Sequence, residues 1–155
     1  MVKAKKTPSQ GLSSDAPHRI EFFQRQADDN AAESAPGFEF LMTCPPKVQA
    51  TMLAVLKAVA EAPPKRFAGG GHWEAMRGSM TGWHEVRVDG SKPRRHYRLF
   101  CRLDIEALEV DRPILAVITG MSKAVRTTFS EADYGKVRQL GDEYFSRNPR
   151  SVKSD

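Results

Sequence analysis

Cysteine is scarce in this chain: Cys44 and Cys101 are the two among 155 residues. They stand far apart and form no Cys-x-x-Cys pair, so the sequence predicts neither a disulfide framework nor a zinc site. Long apolar runs are also missing, since no stretch approaches the roughly 20 residues that a membrane-spanning helix needs. We therefore expect a soluble protein with no membrane partner and no bound metal.

The first residues, MVKAKKTPSQGLSSDAP, include lysines but no apolar stretch behind them. A secretory signal would have an apolar stretch after the lysines, so this pattern favours a cytoplasmic protein. Residues 1–16 offer almost nothing to bury, and we expect them to form a disordered tail. The length suits a single domain, which we place at residues 17–150.

Positive charge is concentrated in the middle of the chain. The segment from Lys65 to Arg102 holds nine Lys or Arg residues against three acids, a local charge of +6, whereas the whole chain carries +5. Such focusing indicates a directional surface for an anion such as a nucleic-acid backbone. From charge alone, a solvated strand face is an equally good interpretation.

Hydrophobic periodicity predicts an α+β domain. A first strand is expected at about 18–24, and a helix opens at Thr43, Pro45 and Pro46 and ends before Pro63 and Pro64. A β-meander follows from Gly69 to Leu103, and PILAVITGM has the composition of a strand buried on both faces. Ser130 and Asp133 form a capping-box signature for a C-terminal helix. The predicted fold is a twisted antiparallel sheet of four or five strands backed by helices, while residues 26–40 show no clear pattern.

Alternation within the meander predicts a shared polar face. In WHEVRVD, Trp83, Glu85 and Arg87 point to one side of the strand. The valines point to the other side, which we therefore expect to face the core. In RRHYRLF, Arg94, His96 and Arg98 share a side. If the two strands are antiparallel neighbours, Glu85, Arg87, His96 and Arg98 lie within reach of one another.

These residue types suit the cleavage of RNA. The 2′-hydroxyl must lose a proton, the phosphate oxygens gain charge, and the leaving 5′-oxygen must gain a proton. Arg87 and Arg98 can hold charge, and Glu85 or His96 can move protons. Trp83 could stack on an unpaired base. Each residue also has an ordinary interpretation: Glu85 as half of a cross-strand ion pair, and Trp83 as packing.

Three segments occur in this order along the chain: HWEAMRGSMTGWHEVRVD, HYRLFC and VITGMSKAV. Together they resemble the RelE/ParE superfamily of bacterial toxins, most closely its HigB-like branch, over residues 18–128. The resemblance implies a RelE-like fold and a toxin of a type II toxin–antitoxin system that inhibits translation. It implies a metal-independent mRNA endoribonuclease without cofactor, usually acting on the ribosome. A helix-turn-helix antitoxin is the implied partner.

By position, the resemblance carries the family's two strand arginines onto Arg87 and Arg98, and its lysine after the last strand onto Lys123. Glu74 matches the base of the YoeB-like branch and Glu85 the acid of the HigB-like motif, so the general base stays open among Glu74, Glu85 and His96. Met121 and Ala124 depart from the family, which often has an aromatic residue or a second lysine there. The C-terminal helix is longer than in small members and could cover the active face or build a dimer.

The catalytic prediction and the binding prediction follow from these assignments. The predicted catalytic residues are Glu85, Arg87, His96, Arg98 and Lys123, with a 2′,3′-cyclic phosphate as product. The predicted RNA-binding residues are Arg77, Trp83, Lys92, Arg94 and Arg95. Two alternatives stay open: a gyrase poison of the ParE type, and a non-catalytic module that binds RNA or an antitoxin.

Overall fold

The computed structural model describes residues 16–62 and 71–154. Its five strands form one sheet in the order β1-β5-β4-β3-β2. The strands are β1 Arg19–Phe22, β2 Trp73–Ala75, β3 Trp83–Ser91, β4 Arg94–Asp104 and β5 Ile114–Ala124. The helices are α1 Pro36–Thr43, α2 Pro46–Glu61 and α3 Glu131–Phe145, and a 3₁₀ turn spans Gly78–Met80. The predicted α+β class, with a five-stranded sheet backed by helices, is confirmed.

The sheet is mixed, which corrects the prediction of a purely antiparallel one. Strands β2, β3, β4 and β5 pair antiparallel in sequence order, but β1 lies parallel to β5, with Arg19 opposite Ile114. Short connections force the meander strands to run antiparallel. The β1–β5 pairing joins distant parts of the chain, and the periodicity of a strand does not specify the direction of such a partner.

One face of the sheet is covered by α1 and α2. The predicted helix is confirmed, because Val48, Met52 and Leu56 of α2 are buried in the cluster that includes Val86 and Leu99. Pro46 is the first residue of α2. An N–H at this position has no hydrogen-bond partner within the helix, so proline, which lacks the N–H, is tolerated there. The two prolines expected to end it lie outside the described residues.

Helix α1 has no counterpart in the prediction and lies close to β5. A Cβ atom added to Gly37 would stand 2.8 Å from Val117 Cγ1, which is closer than real side chains approach. The glycine therefore permits a short helix to rest almost directly on the strand backbone.

The opposite face is covered by α3. Its capping box is confirmed: the Asp133 backbone N–H donates to Ser130 Oγ at 3.1 Å, and the Ser130 N–H donates to Asp133 Oδ2 at 2.8 Å. Val137 and Tyr144 of α3 pack with Phe100 and Ile118 of the sheet. Both faces of β5 are consequently buried, as its apolar composition predicts.

The segment after α3 folds back onto the sheet. Arg150 Nε lies 2.8 Å from Asp104 Oδ2, and the Tyr144 hydroxyl donates to the same oxygen at 2.7 Å. Val152 forms a β-bridge with Phe23. These contacts join the C-terminal residues to β1 and β4.

Some predictions concern residues that lie outside the ranges 16–62 and 71–154. The expected disordered tail, residues 1–16, lies outside them apart from Ala16, which is buried. Lys65 and Arg66, which contribute to the basic segment, also lie outside. Within the described ranges, no helix has the length and apolar character needed to cross a membrane.

Candidate active site on strands β3 and β4

Strands β3 and β4 bring the predicted charged residues together. The predicted antiparallel pairing is confirmed, with Arg87 directly opposite Arg98 and Asp89 opposite His96. Glu85 lies two residues before Arg87, and alternation puts its side chain on the same face. We call Glu85, Arg87, Asp89, His96 and Arg98 the charged strip.

Glu85 and Arg87 form the more open half of the charged strip. Arg87 Nη1 contacts Glu74 Oε2 at 2.8 Å, and its Nε lies 3.6 Å from Glu85 Oε1. The Arg87 side chain is 39% exposed, whereas that of Glu85 is 14% exposed. Burial raises the pKa of Glu85 above its ordinary value, and the attraction of Arg98 and Arg87 offsets only part of that rise. A carboxyl in this state is suited to proton transfer.

Arg98 forms the buried half. Its side chain is 7% exposed, and its Nη1 donates to the Tyr97 carbonyl at 2.9 Å and to Asp89 Oδ1 at 3.1 Å. His96 Nδ1 lies 2.8 Å from the same Asp89 oxygen. Only a small part of the Arg98 guanidinium is therefore open to a ligand, while Arg87 is readily reached.

Lys123 lies beside the charged strip, opposite His96 in the pairing of β4 with β5. Its Nζ contacts Asp133 Oδ2 at 2.8 Å. This contact, with the hydrogen bond from the Ser130 N–H, lowers the pKa of Asp133 to about 2. Lys123 thus holds the start of α3 against the end of β5.

Tyr134, in the first turn of α3, faces the charged strip and was not among the predicted site residues. Burial raises the pKa of its hydroxyl, and the negative charge of Glu85 adds to the rise. In the sequence Tyr134 directly follows the predicted capping box of Ser130 and Asp133. Its hydroxyl in the first turn of the predicted helix was the available signal of a polar environment.

A cleft of about 1110 Å³ adjoins the charged strip at the β2 edge. Residues from β2 and the turn after it line one side, including Glu74, Arg77 and Ser79, and Glu131 and Tyr134 of the α3 region line the other. Glu85 also lines this cleft. The cleft gives a ligand access to the Glu85 end of the charged strip.

The predicted RNA-binding residues divide into two groups. Arg77, Lys92 and Arg94 are exposed, and Arg95 is half-buried with its Nε donating to Ser122 Oγ at 3.2 Å. Trp83 is 5% exposed, which favours its interpretation as packing and leaves little of its ring open for stacking on a base. Its ring packs on α3 so closely that a Cβ atom at Gly141 would overlap it. The alternation of β3 identified the correct face, but α3 covers that end of it.

Comparisons with known proteins add no assignment: no protein-family model matches the chain, and no curated protein or solved structure matches it. Within residues 16–62 and 71–154, no three His, Cys, Asp or Glu side chains are grouped as a metal site would require.

Proposed function

We propose that the chain is a toxin of the RelE/ParE superfamily, in its HigB-like branch, and cleaves mRNA as a metal-independent endoribonuclease. The observation that carries this proposal is the pairing of Arg87 with Arg98, beside a Glu85 carboxyl whose pKa is raised. Two guanidiniums can bind the phosphate of an RNA phosphodiester, and the carboxyl can exchange a proton with the reacting RNA oxygen. The helix-backed five-stranded sheet agrees with the coarse fold that the resemblance implies.

The proposed reaction is attack by the 2′-hydroxyl on the adjacent phosphorus. The new 2′-oxygen bond forms as the bond to the 5′-oxygen breaks, giving a 2′,3′-cyclic phosphate and a 5′-hydroxyl. Arg87 and the exposed part of Arg98 stabilise the charge that develops on the phosphate oxygens. Glu85 and His96 are the two proton-transfer groups of the charged strip, and Lys123 is close enough to His96 to assist at a phosphate.

The proposal includes partners and a cellular setting. The substrate is mRNA, bound for the most part on the ribosome, and the activity is neutralised by a helix-turn-helix antitoxin in the cytoplasm. Arg77, Lys92, Arg94 and Arg95 contact the RNA backbone outside the scissile bond. Their side chains are exposed or half-buried, as such contacts require.

Arg87 provides the cleaner test of the reaction. Replacing Arg98 by Ala would remove three hydrogen bonds from a buried donor and cost about 1–3 kcal/mol of stability, so lost activity could reflect unfolding. We expect Arg87→Ala to lower RNA cleavage by at least roughly 100-fold, with an unfolding transition shifted less than that of Arg98→Ala because the Arg87 side chain is more exposed. Induced growth arrest and mapping of transcript ends, with chemical identification of those ends, are the measurements.

A matched control and a contradicting result define this test. Lys57→Ala removes a cation from the exposed surface of α2 and should leave cleavage and arrest intact. Normal cleavage by Arg87→Ala would refute the role of the charged strip. Growth arrest with gyrase inhibition and no new RNA ends would favour the ParE-type alternative.

A non-catalytic RNA- or antitoxin-binding module is the second candidate, and one observation favours it. Three basic groups of the charged strip and its edge already have a carboxylate partner: Glu74 for Arg87, Asp89 for Arg98 and Asp133 for Lys123. Such pairing is typical of a structural network as well as of an active site. RNA binding that survives Glu85→Gln, with no product ends from the wild-type protein, would support this candidate.

A further inference from the structure

The geometry of the reaction restricts where its two proton-transfer groups can lie. In phosphoryl transfer the attacking and leaving oxygens stand roughly in line on opposite sides of phosphorus. The group that accepts the 2′-hydroxyl proton and the group that protonates the 5′-oxygen must therefore flank the residues that hold the phosphate.

The register of β3 and β4 provides this arrangement. Glu85 comes first along the strand pair, the facing pair of Arg87 and Arg98 follows, and the facing pair of Asp89 and His96 comes next. Glu85 and Asp89 are four residues apart, or roughly 13 Å along the strand. Glu85 and His96 thus lie on opposite sides of the two arginines, with room for a phosphate between their side chains.

From this arrangement we propose that His96 protonates the leaving 5′-oxygen, that Glu85 accepts the 2′-hydroxyl proton, and that Asp89 is the positioning residue of His96. This proposal rests on the function proposed above and divides the roles within it. Its central observation is that Asp89 Oδ1 lies 2.8 Å from His96 Nδ1 and 3.1 Å from Arg98 Nη1. A single carboxylate oxygen joins the imidazole to the buried guanidinium.

The Asp89 contact determines which ring nitrogen of His96 faces the substrate. The hydrogen bond with His96 is the largest cause that lowers the pKa of Asp89, so the carboxylate is ionised and accepts. The proton of a neutral imidazole then lies on Nδ1, and Nε2 is the atom that exchanges a proton with substrate. Charged residues on three strands neighbour His96 in the strand register: Asp89 on β3, Arg94 and Arg98 on β4, and Lys123 on β5.

Asp89 also orients Arg98. In the described part of the chain, every hydrogen bond of this guanidinium is made by Nη1, to Asp89 and to the carbonyls of Val88 and Tyr97. The phosphate-binding group and the proton donor are therefore fixed by the same carboxylate.

The proton balance of the step is complete. Glu85 takes the 2′-hydroxyl proton as the 2′-oxygen bonds to phosphorus, and protonated His96 gives its Nε2 proton to the 5′-oxygen as that bond breaks. Glu85 then returns its proton to water and His96 regains one from water. No other reactant is needed.

An RNA in which sulfur replaces the bridging 5′-oxygen tests these roles, because a thiolate leaves without being protonated. On the oxygen substrate we expect His96→Gln to lower the rate about 10²–10⁴-fold, and Asp89→Asn to lower it by less. On the sulfur substrate both variants should approach the wild-type rate, whereas Glu85→Gln should stay impaired on both. Asp142→Asn, at an exposed position of α3, is the matched control.

The outcomes separate this inference from the proposed function. Cleavage by the wild-type protein together with no recovery of His96→Gln and Asp89→Asn on sulfur would overturn the inference alone. A wild-type protein that cleaves neither substrate would overturn the proposed function itself. Nitrogen NMR of the His96 ring gives a readout independent of activity: we expect the proton on Nδ1 and a changed tautomer balance in Asp89→Asn. A proton on Nε2 in the neutral wild-type ring would also overturn the inference.

Discussion

Glu85 lies close to two guanidiniums, yet its pKa is raised and not lowered. Removal of the carboxyl from water is the largest influence on it, and the neighbouring Glu74 adds to the rise. A carboxyl of this kind binds its proton more tightly in the folded chain than in the unfolded chain. The free energy of unfolding must then fall as pH rises from the unfolded pKa through the folded one.

Replacing Glu85 by Gln should therefore separate stability from activity. Burial makes ionisation of the wild-type carboxyl costly, so we expect Glu85→Gln at pH 7 to unfold at a higher denaturant concentration while cleavage falls at least roughly 100-fold. Near pH 4, about the ordinary pKa of glutamate, the gain in stability should shrink because the wild-type group is becoming protonated. Urea unfolding at both pH values, with RNA cleavage in parallel, measures both effects.

The control for this substitution is Glu61→Gln, at the exposed end of α2. It removes the same charge without a buried environment and should leave stability nearly unchanged at both pH values. A Glu85→Gln protein that is less stable than wild type at pH 7 would show that the ion pair with Arg87 outweighs burial.

Individual residues could be predicted from the sequence where a local rule applies. Strand alternation brought Glu85, Arg87, His96 and Arg98 to one face because side chains in a strand point to alternate sides. It could not show that Arg98 is nearly buried or that Trp83 lies under a helix. Those properties depend on α3, which is distant along the chain.

Helix α3 is the element that decides how much of the charged strip is open. Trp83 rests on Gly141 in the C-terminal half of this helix, and the Lys123–Asp133 contact fixes its first turn to β5. The capping box predicted the residue at which α3 begins, since Ser130 and Asp133 satisfy each other's backbone N–H groups. No comparable local signal specified the faces on which α3 and α1 pack.

A pair of glycine substitutions in α3 tests this packing. Alanine normally favours a helix over glycine, but a Cβ at Gly141 would overlap the Trp83 ring. We expect Gly141→Ala to lower the free energy of unfolding by about 1–3 kcal/mol, as overpacked cores do. Denaturant unfolding followed by tryptophan fluorescence measures the loss and reports on Trp83.

Gly135→Ala is the matched substitution in the same helix. The nearest atom to a Cβ at Gly135 is Arg138 Nη2 at 3.7 Å, an ordinary contact. This variant should be more stable than wild type by about 0.5–1 kcal/mol, because glycine loses more backbone freedom on folding. Equal effects of the two substitutions would mean that α3 does not press on Trp83.

For the molecule as a whole, the attachment of the C-terminal segment to the sheet could not be predicted from the sequence. Arg150, Asp104 and Tyr144 form a buried group that joins the end of the chain to β4. Burial opposes the charge on Asp104, but hydrogen bonds from Arg150 and Tyr144 outweigh it and lower the pKa of Asp104. Its stabilising effect is present above the unfolded pKa of aspartate and is lost as pH falls through the folded value. Such a pairing joins positions 46 residues apart and leaves no local pattern.

The long-range attraction of RNA and the proposed cleavage of RNA depend on different charged groups of the molecule. Arg87, Arg98 and Lys123 are compensated by Glu74, Asp89 and Asp133. At the tip of the β3–β4 hairpin, Lys92 and Arg94 are exposed, and neither is paired with a carboxylate among the described residues. Long-range attraction of RNA should therefore originate at the hairpin tip, while the charged strip acts at short range.

Salt dependence measures this separation. Each phosphate neutralised on single-stranded RNA contributes about 0.7 to the slope of log K against log salt concentration. If Lys92 and Arg94 each contact a phosphate, replacing both by Gln should reduce that slope by about 1.4 and weaken binding at low salt. Replacing Lys47 and Lys57 by Gln removes the same charge from the outer surface of α2 and should leave the slope unchanged. Equal slopes for the two double variants would show that only net charge attracts RNA, and would remove the hairpin tip from the binding surface.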